Sequence, residues 1–185
     1  MRVQVGLTPG ERVAAPLGIV IDVLRATSTI CQALAAGYES VTCVGEVDDA
    51  RALAGDGVAL AGERHNVKID GFDFGNSPRE FATGEHAASR LVLTTTNGTR
   101  LLLAAADRCE TVLVASLLNL GAVVEAARSA EHVAVLCAGV EGEFAIDEEF
   151  QIVVSADGSP LLVADSEEAV EDWLAERNFG VVTVH

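Results

Sequence analysis

The stretch Gly18-Ile-Val-Ile-Asp-Val-Leu-Arg-Ala-Thr-Ser-Thr29 runs from a continuous apolar segment into a cluster of small polar residues. Residues 18–24 are rich in β-branched side chains and predict a strand that is buried on both faces. Residues 28–36 then have the composition of a helix, with Thr27 or Ser28 as its N-terminal cap and a glycine at its end. A buried strand that leads directly into a helix is typical of an α/β fold.

The same alternation of strands and helices continues along most of the chain. Strands are predicted at residues 40–44, 58–61, 90–93, 111–115 and 132–136, and helices at residues 47–54, 98–106 and 119–129. This spacing predicts a mostly parallel or mixed sheet with helices on both faces.

Two segments break the alternation. Residues 65–86 form a long polar segment that contains Gly75-Asn-Ser-Pro78, and segments of this kind are often functional. In the tail, residues 151–155 and 160–164 predict a hairpin with a turn at Asp157-Gly158. A helix at residues 166–177 and a final strand at residues 180–184 complete the predicted elements.

Composition and charge exclude several classes of protein. The 185 residues are 50% hydrophobic and 4% aromatic, which predicts a core built from Ala, Val and Leu. The chain lacks an apolar run long enough to cross a bilayer, and its first ten residues do not resemble a secretory signal, so we expect it in the cytoplasm. The net charge of -16 argues against nucleic-acid binding. Its four cysteines include no C-x-x-C pair and are expected to be buried, reduced thiols.

Polar residues collect where the predicted strands end. Ligands of open parallel sheets bind beyond the carboxyl ends of the strands. The segments that follow the strands here are Asp22-Val-Leu-Arg-Ala-Thr-Ser-Thr29, Glu63-Arg64, Thr94-Thr-Thr-Asn-Gly-Thr99, Ser116-Leu-Leu-Asn119 and Cys137-Ala-Gly139. Because they are rich in hydroxyls, amides and glycines, we expect them to form one anion-binding edge.

The first of these loops suits an anion because free backbone N–H groups and the positive end of a helix dipole converge there. Arg25 would add a forked charge. The alternative is a plain helix cap with Arg25 in a surface ion pair. The threonine-rich loop would form a second arm of the cradle, although the turn at Asn97-Gly98 and a cap at Thr99 could also explain it.

Asp22 is a carboxylate in an otherwise apolar strand, so it needs a metal, an arginine or donated hydrogen bonds. An ion pair with Arg25 or Arg64 is the structural alternative. Several further carboxylates are candidate oxygen ligands: Glu63, Asp70, Asp73, Asp147 and Glu148. Carboxylates beside a bound phosphate predict Mg²⁺.

Two covalent phosphatase signatures are absent from the sequence. Leu24 stands where an aspartyl-phosphate enzyme would have the second Asp of Asp-x-Asp. Glu143 stands six residues after Cys137, where a cysteine phosphatase would have arginine. We therefore expect a water that is metal-bound or activated by a carboxylate to attack the phosphorus.

Several motifs, taken in their order along the chain, resemble the 2-phosphosulfolactate phosphatase family over residues 18–148. They are the strand-end segments above, Gly62-Glu-Arg64, Lys68-Ile-Asp-Gly-Phe-Asp-Phe-Gly-Asn-Ser-Pro78, and an acidic Gly-x-Phe-x-x-Asp-Glu stretch that follows Cys137-Ala-Gly139. The resemblance implies a three-layer α/β/α fold. It also implies a Mg²⁺-dependent acid phosphatase that converts 2-phospho-3-sulfolactate to sulfolactate in coenzyme M biosynthesis.

The chain departs from this family at two places. His65-Asn66 stands where the family usually has Gly-Gly after Gly-Glu-Arg. An extended helical region expected after Asp147-Glu148 is replaced by a shorter segment. We therefore predict one α/β domain over residues 1–185 that is unusually short after about residue 148.

These inferences assign the site residues by role. The predicted catalytic residues are Asp22, Arg25 and Glu63, and the predicted metal ligands are Asp22, Glu63 and Asp147. The predicted substrate-binding residues are Arg64, Thr27, Ser28, Asn76, Ser77, Thr95, Thr96, Asn97, Gly98, Thr99 and Asn119. We expect the protein to bind a small anionic phosphorylated substrate and to bind neither nucleic acid nor a membrane. An Ala- and Val-rich face would also allow the chain to form a homodimer. The alternatives are a phosphatase for another small phosphorylated acid and a non-catalytic anion-binding relative.

Overall fold

The computed structural model describes residues 1–82, 87–143, 151–153 and 162–164. The chain forms two compact units, Met1–Phe144 and Ala145–His185. The single domain expected from the sequence stays a prediction.

In chain order the elements are β1 (Arg2–Gly6), β2 (Leu17–Ile21), α1 (Ala26–Ala35), β3 (Ser40–Cys43), α2 (Val47–Ala52), β4 (Val58–Arg64), β5 (Val67–Lys68), a 3₁₀ helix (Pro78–Phe81), β6 (Arg90–Thr94), α3 (Gly98–Ala106), β7 (Thr111–Ala115), α4 (Leu120–Ala127), β8 (His132–Cys137), β9 (Gln151–Val153) and β10 (Leu162–Ala164).

The first unit contains two four-stranded sheets. One has the order β1-β8-β2-β7 and is parallel throughout. The other has the order β3-β6-β4-β5, in which β5 alone runs antiparallel to its neighbour. The α/β class with a mostly parallel or mixed sheet is therefore confirmed, and the structure adds that the strands are shared between two sheets.

The main core is formed by apolar strand residues and by the inner faces of α1 and α3. Val20, Leu91 and Leu93 are fully buried, and Leu101 of α3 is 2% exposed. Phe81, at the end of the 3₁₀ helix, is also fully buried and packs edge-on against Tyr38 with ring centroids 5.9 Å apart. Its ring also lies 4.9 Å from that of Phe74, so the polar segment after β5 is anchored to the core.

The predicted helix at residues 98–106 and strand at residues 111–115 have the predicted bounds. The first strand ends at Ile21 rather than at residue 24, because the chain turns at Asp22 and the backbone N–H of Thr27 donates to the Asp22 carbonyl. β4 extends to Arg64 rather than to residue 61, because its last residues pair with β5. The five-residue β1 and two-residue β5 were not predicted.

In the second unit, β9 and β10 form an antiparallel pair in which Leu162 lies opposite Val153. The two predicted hairpin strands at residues 151–155 and 160–164 are confirmed in this shorter form. The predicted turn, the helix at residues 166–177, the strand at residues 180–184 and the acidic pair Asp147-Glu148 lie outside the described residues.

None of the helices in the described ranges has the length and apolar character needed to span a bilayer. The four cysteines are free, as expected, but Cys109 alone is buried and the other three are half-buried.

Phe81→Ala should lower the free energy of unfolding by about 3–5 kcal/mol, because it leaves a cavity beneath two aromatic rings. Leu103→Ala provides the control, since Leu103 is 42% exposed and should cost far less. Urea denaturation of both variants measures the difference. Equal losses would contradict the assignment of Phe81 to the core.

Candidate functional site

A cavity of about 200 Å³, here called the site cavity, lies at the carboxyl ends of strands from both sheets. Its walls come from the loops after β2, β6 and β8, from the end of β4 and its turn into β5, and from the polar segment. The lining residues are Asp22, Leu24, Arg25, Glu63, His65, Asn66, Asn76, Thr96, Asn97, Val140 and Glu141. Six of the residues predicted for the site are thus brought together: Asp22, Arg25, Glu63, Asn76, Thr96 and Asn97.

The loop after β2 is held by its own hydroxyl groups. The Thr27 hydroxyl donates to the Asp22 carbonyl at 2.6 Å, and the Ser28 hydroxyl donates to the Val23 carbonyl at 2.7 Å. The expected cap at Thr27 or Ser28 is wrong, because Arg25 occupies the N-cap position and makes no side-chain cap hydrogen bond. Thr27 and Ser28 lie in the first turn of α1 and do not line the cavity, so their role in substrate binding stays a prediction.

Burial raises the pKa of the Asp22 carboxyl from 3.8 to about 6. The backbone N–H of Ala26 opposes this effect, the negative charge of Glu63 adds to it, and the N–H and guanidinium of Arg25 partly offset it. Asp22 therefore titrates much nearer to neutrality than an ordinary aspartate.

Arg64 is not the partner of Asp22. Its guanidinium donates to the carbonyls of Gly45 and Glu63, both at 2.8 Å, and to the Thr94 hydroxyl at 2.9 Å. These bonds join β4 to the loop after β3 and to the end of β6. Arg64 does not line the site cavity, and its geometry indicates a structural clamp.

Glu63 joins two walls of the site cavity. This carboxylate is 5% exposed and accepts hydrogen bonds from the Thr96 N–H at 2.7 Å, the Thr96 hydroxyl at 3.0 Å and the Asn66 N–H at 2.8 Å. Each of these bonds is charge-assisted and replaces water that burial removed. Glu63 thus fixes the turn after β4 against the loop after β6.

In the threonine-rich loop, residues 94–99, some threonines form internal hydrogen bonds and another lines the site cavity. Thr95 and Thr99 are fully or almost fully buried and bond to each other's backbone and hydroxyl groups. The predicted cap at Thr99 is wrong, because Asn97 is the N-cap of α3 and makes no side-chain cap bond. Of the three successive threonines, only Thr96 lines the site cavity.

Gly98 allows Asp22 and α3 to approach closely. A Cβ at this position would collide with the Asp22 carboxylate and with the methyl group of Ala26. The structure gives Gly98 this packing role, and its predicted part in substrate binding stays a prediction. Its missing side chain lets the loops of the two sheets meet at the cavity.

Asn76 is 6% exposed, and its Oδ1 has no hydrogen-bond partner within the described part of the chain. A buried polar atom without a partner is costly, so an acceptor that lines a cavity favours a bound donor or cation. Ser77 does not line the cavity. Asn119 does not either, and its side chain accepts a hydrogen bond from the Ser116 N–H and donates one to the carbonyl of Val114 in β7.

Five lining residues were missed by the sequence analysis: Leu24, His65, Asn66, Val140 and Glu141. His65 and Asn66 form the two-residue turn between β4 and β5, with φ of 50° and 63°. Such positive angles are typical of the turns that close tight hairpins. His65 Nδ1 lies 3.4 Å from Glu141 Oε1, which links this turn to the loop after β8. The signal was the departure from Gly-Gly at His65-Asn66, but its position on the cavity wall required the fold.

Asp22, Glu63 and Asn76, which line the site cavity, carry oxygen atoms of the kind that Mg²⁺ prefers as ligands. Mg²⁺ prefers oxygen ligands and usually keeps several waters, so one or two carboxylates suffice. The described residues contain no cluster of three His, Cys, Asp or Glu side chains around one point, and Asp147 lies outside them. The fit of the cavity to Mg²⁺ therefore rests on the carboxylates of Asp22 and Glu63 and on Asn76 Oδ1, which has no hydrogen-bond partner among the described residues.

Comparison with known proteins supports the family that the sequence motifs resemble. A family model described as 2-phosphosulpholactate phosphatase matches residues 4–151. Proteins named probable 2-phosphosulfolactate phosphatase from Thermotoga petrophila and Thermus thermophilus are 42% identical over 146 residues and 41% identical over 160 residues. The alignments cover 79% and 85% of this chain but 63% and 68% of the relatives. The chain thus spans about two thirds of the length of these curated relatives.

Asp22→Asn should increase stability at neutral pH when metal is absent. Because the folded-state pKa is raised, ionisation of Asp22 opposes folding, and the parent loses stability as the pH rises from 3.8 to about 6. The variant keeps an acceptor oxygen but carries no charge, so it should exceed the parent by about 2–3 kcal/mol above that range and differ little below it.

Urea denaturation in EDTA across that pH range measures this difference. Asp107→Asn, at an exposed position outside the cavity, is the control and should show no such dependence. A variant as stable as the parent at every pH would contradict the burial of a charged Asp22.

Gly98→Ala should cost about 1–3 kcal/mol and displace Asp22, because the new methyl group overlaps the carboxylate. Gly121→Ala is the matched control, because Gly121 lies in α4 and its Cβ would meet nothing within 4 Å. That variant should gain about 0.5–1 kcal/mol. Thermal or urea unfolding should show that Gly98→Ala loses stability and that Gly121→Ala gains it. Unchanged stability of Gly98→Ala would show that the close approach of Asp22 to α3 is unimportant.

Proposed function

The chain belongs to the 2-phosphosulpholactate phosphatase family, and from this premise we propose that it is a cytoplasmic Mg²⁺-dependent phosphatase. Its proposed substrate is 2-phospho-3-sulfolactate, which it would hydrolyse to 3-sulfolactate and phosphate in coenzyme M biosynthesis. The observation that carries the proposal is one cavity that holds Asp22, Arg25 and the unpartnered oxygen of Asn76.

The charges on the cavity wall support a bound cation. Asp22, Glu63 and Glu141 are acidic, whereas Arg25 is the one arginine among the described residues that line the site cavity. A phosphoryl dianion would be repelled by these carboxylates unless a divalent cation accompanied it. Mg²⁺ held by Asp22, Glu63 and Asn76 would neutralise charge on the phosphoryl oxygens.

The remaining steps are assigned to side chains of the cavity. Arg25, which lines the cavity, would donate to the phosphoryl oxygens on which negative charge develops. Asp22, a buried carboxylate on the cavity wall, would accept a proton from the attacking water. The water oxygen would bond to phosphorus, the P–O bond to the alcohol would break, and the alcohol oxygen would take up the proton that Asp22 accepted.

A phosphatase for another small phosphorylated acid is the second candidate. It is favoured by one observation, the presence of His65 and Asn66 on the cavity wall, where the family usually has glycines. Comparing phosphate release from a panel of phosphorylated hydroxy acids separates the two candidates.

Phosphate release from 2-phospho-3-sulfolactate should require Mg²⁺ and stop in EDTA. Asp22→Asn and Arg25→Ala should each lower kcat/KM by about 10²–10³, since each removes a charge that acts on the reacting group. Asp107→Asn and Arg12→Ala, at exposed positions that line no cavity, are the charge-matched controls. Undiminished activity in both site variants would refute the site assignment.

A further inference from the structure

A second cavity of about 430 Å³, here called the adjoining cavity, shares His65, Thr96, Asn97 and Glu141 with the site cavity. Its other walls are Pro9, Arg100, Leu101, Ala138 and Gly142. Since four residues line both cavities, the two cavities are adjacent, and a ligand that reaches past these four residues would have groups in both.

Arg100 supplies positive charge to the adjoining cavity. It lies in the first turn of α3, directly after the loop that lines both cavities. Its guanidinium is 3.5 Å from the Glu46 carboxylate, and the two side chains are 57% and 67% exposed. An exposed pair at this distance contributes little to stability. Arg100 can therefore exchange Glu46 for the anionic group of a ligand at small cost.

The other walls suit the carbon skeleton of a small acid. Leu101, Ala138 and Pro9 present apolar groups, and the α3 N-terminus brings the positive end of a helix dipole towards the same space. Glu141, which lines both cavities, has its Oε1 3.4 Å from His65 Nδ1. The adjoining cavity thus combines an arginine, a helix N-terminus and apolar walls.

We infer that Arg100 binds a second anionic group, a sulfonate or carboxylate, of a substrate whose phosphoryl group occupies the site cavity. Arg100 is then a specificity residue that selects phosphomonoesters with a second acidic group over those without one. This inference rests on the proposed phosphatase function, although the role of Arg100 in binding can be measured without turnover.

The binding test compares 3-sulfolactate with inorganic phosphate on the parent protein and on Arg100→Gln. The variant should bind 3-sulfolactate about 10- to 100-fold more weakly, as expected for the loss of a charge-assisted hydrogen bond, and should bind phosphate within about twofold of the parent. Arg128→Gln is the matched control, because Arg128 also forms an exposed pair with a glutamate and lines neither cavity.

Isothermal titration calorimetry with Mg²⁺ present gives both dissociation constants. Equal affinity of the parent and Arg100→Gln for 3-sulfolactate would overturn the inference, as would failure of the parent to bind it. Equal weakening of phosphate and 3-sulfolactate would place Arg100 at the phosphoryl group and overturn the inference as well.

A kinetic test separates this inference from the proposed function. Arg100→Gln should raise KM for 2-phospho-3-sulfolactate by about tenfold with kcat little changed, and should leave kcat/KM for glycerol 2-phosphate, which has no second acidic group, unaltered. An equal rise of KM for 2-phospholactate, which has a carboxylate but no sulfonate, would identify the carboxylate as the bound group, and an unchanged KM for it would identify the sulfonate. If the parent hydrolyses none of the three, the proposed function fails, and the calorimetric result still decides the role of Arg100.

Discussion

The geometry of the site depends on the buried carboxylate of Glu63. It accepts three hydrogen bonds from the two loops that follow β4 and β6, and it is almost completely removed from water. A buried charge is tolerated only when its oxygens are satisfied, so these loops are coupled to each other by the cost of separating them. Together with the hydrogen bond from the His65 N–H to the Thr96 hydroxyl, this side chain holds Thr96, His65 and Asn66 on the cavity wall.

Asp22 is in a different state from Glu63. Glu63 has donors on both oxygens, whereas Asp22 relies on backbone N–H groups at the start of α1 and keeps a raised pKa. The folded chain therefore holds one carboxylate that stabilises the loops and one that is destabilising when ionised without a cation. Natural sites often combine a rigid support with a strained functional group, and a cation between the two carboxylates would relieve the strain.

The sequence predicted the elements whose residues show strong periodicity, such as α3 and β7, and the loops that form the cavity. It did not predict how the hydroxyls and guanidinium groups in those loops are oriented. Thr95, Thr99 and Arg64 are residue types that commonly bind phosphate, but their side chains form hydrogen bonds with other groups of the protein. Residue type reveals that a loop can bind an anion, whereas the direction of each side chain depends on neighbours that are distant in sequence, such as Gly45 for Arg64.

The three arginines near the site illustrate how a strongly acidic protein distributes scarce positive charge. In a chain with a net charge of -16, an arginine on the general surface is surrounded by acidic partners that compete with a ligand. The guanidinium of Arg64 donates hydrogen bonds to carbonyl and hydroxyl groups of the protein. Arg25 lines the site cavity together with Asp22. Arg100 lines the adjoining cavity and forms an exposed ion pair with Glu46. The two arginines that are not committed to strong internal bonds are those on the walls of adjacent cavities. Because the rest of an acidic surface repels anions, the proposed binding of an anionic substrate depends on these two arginines.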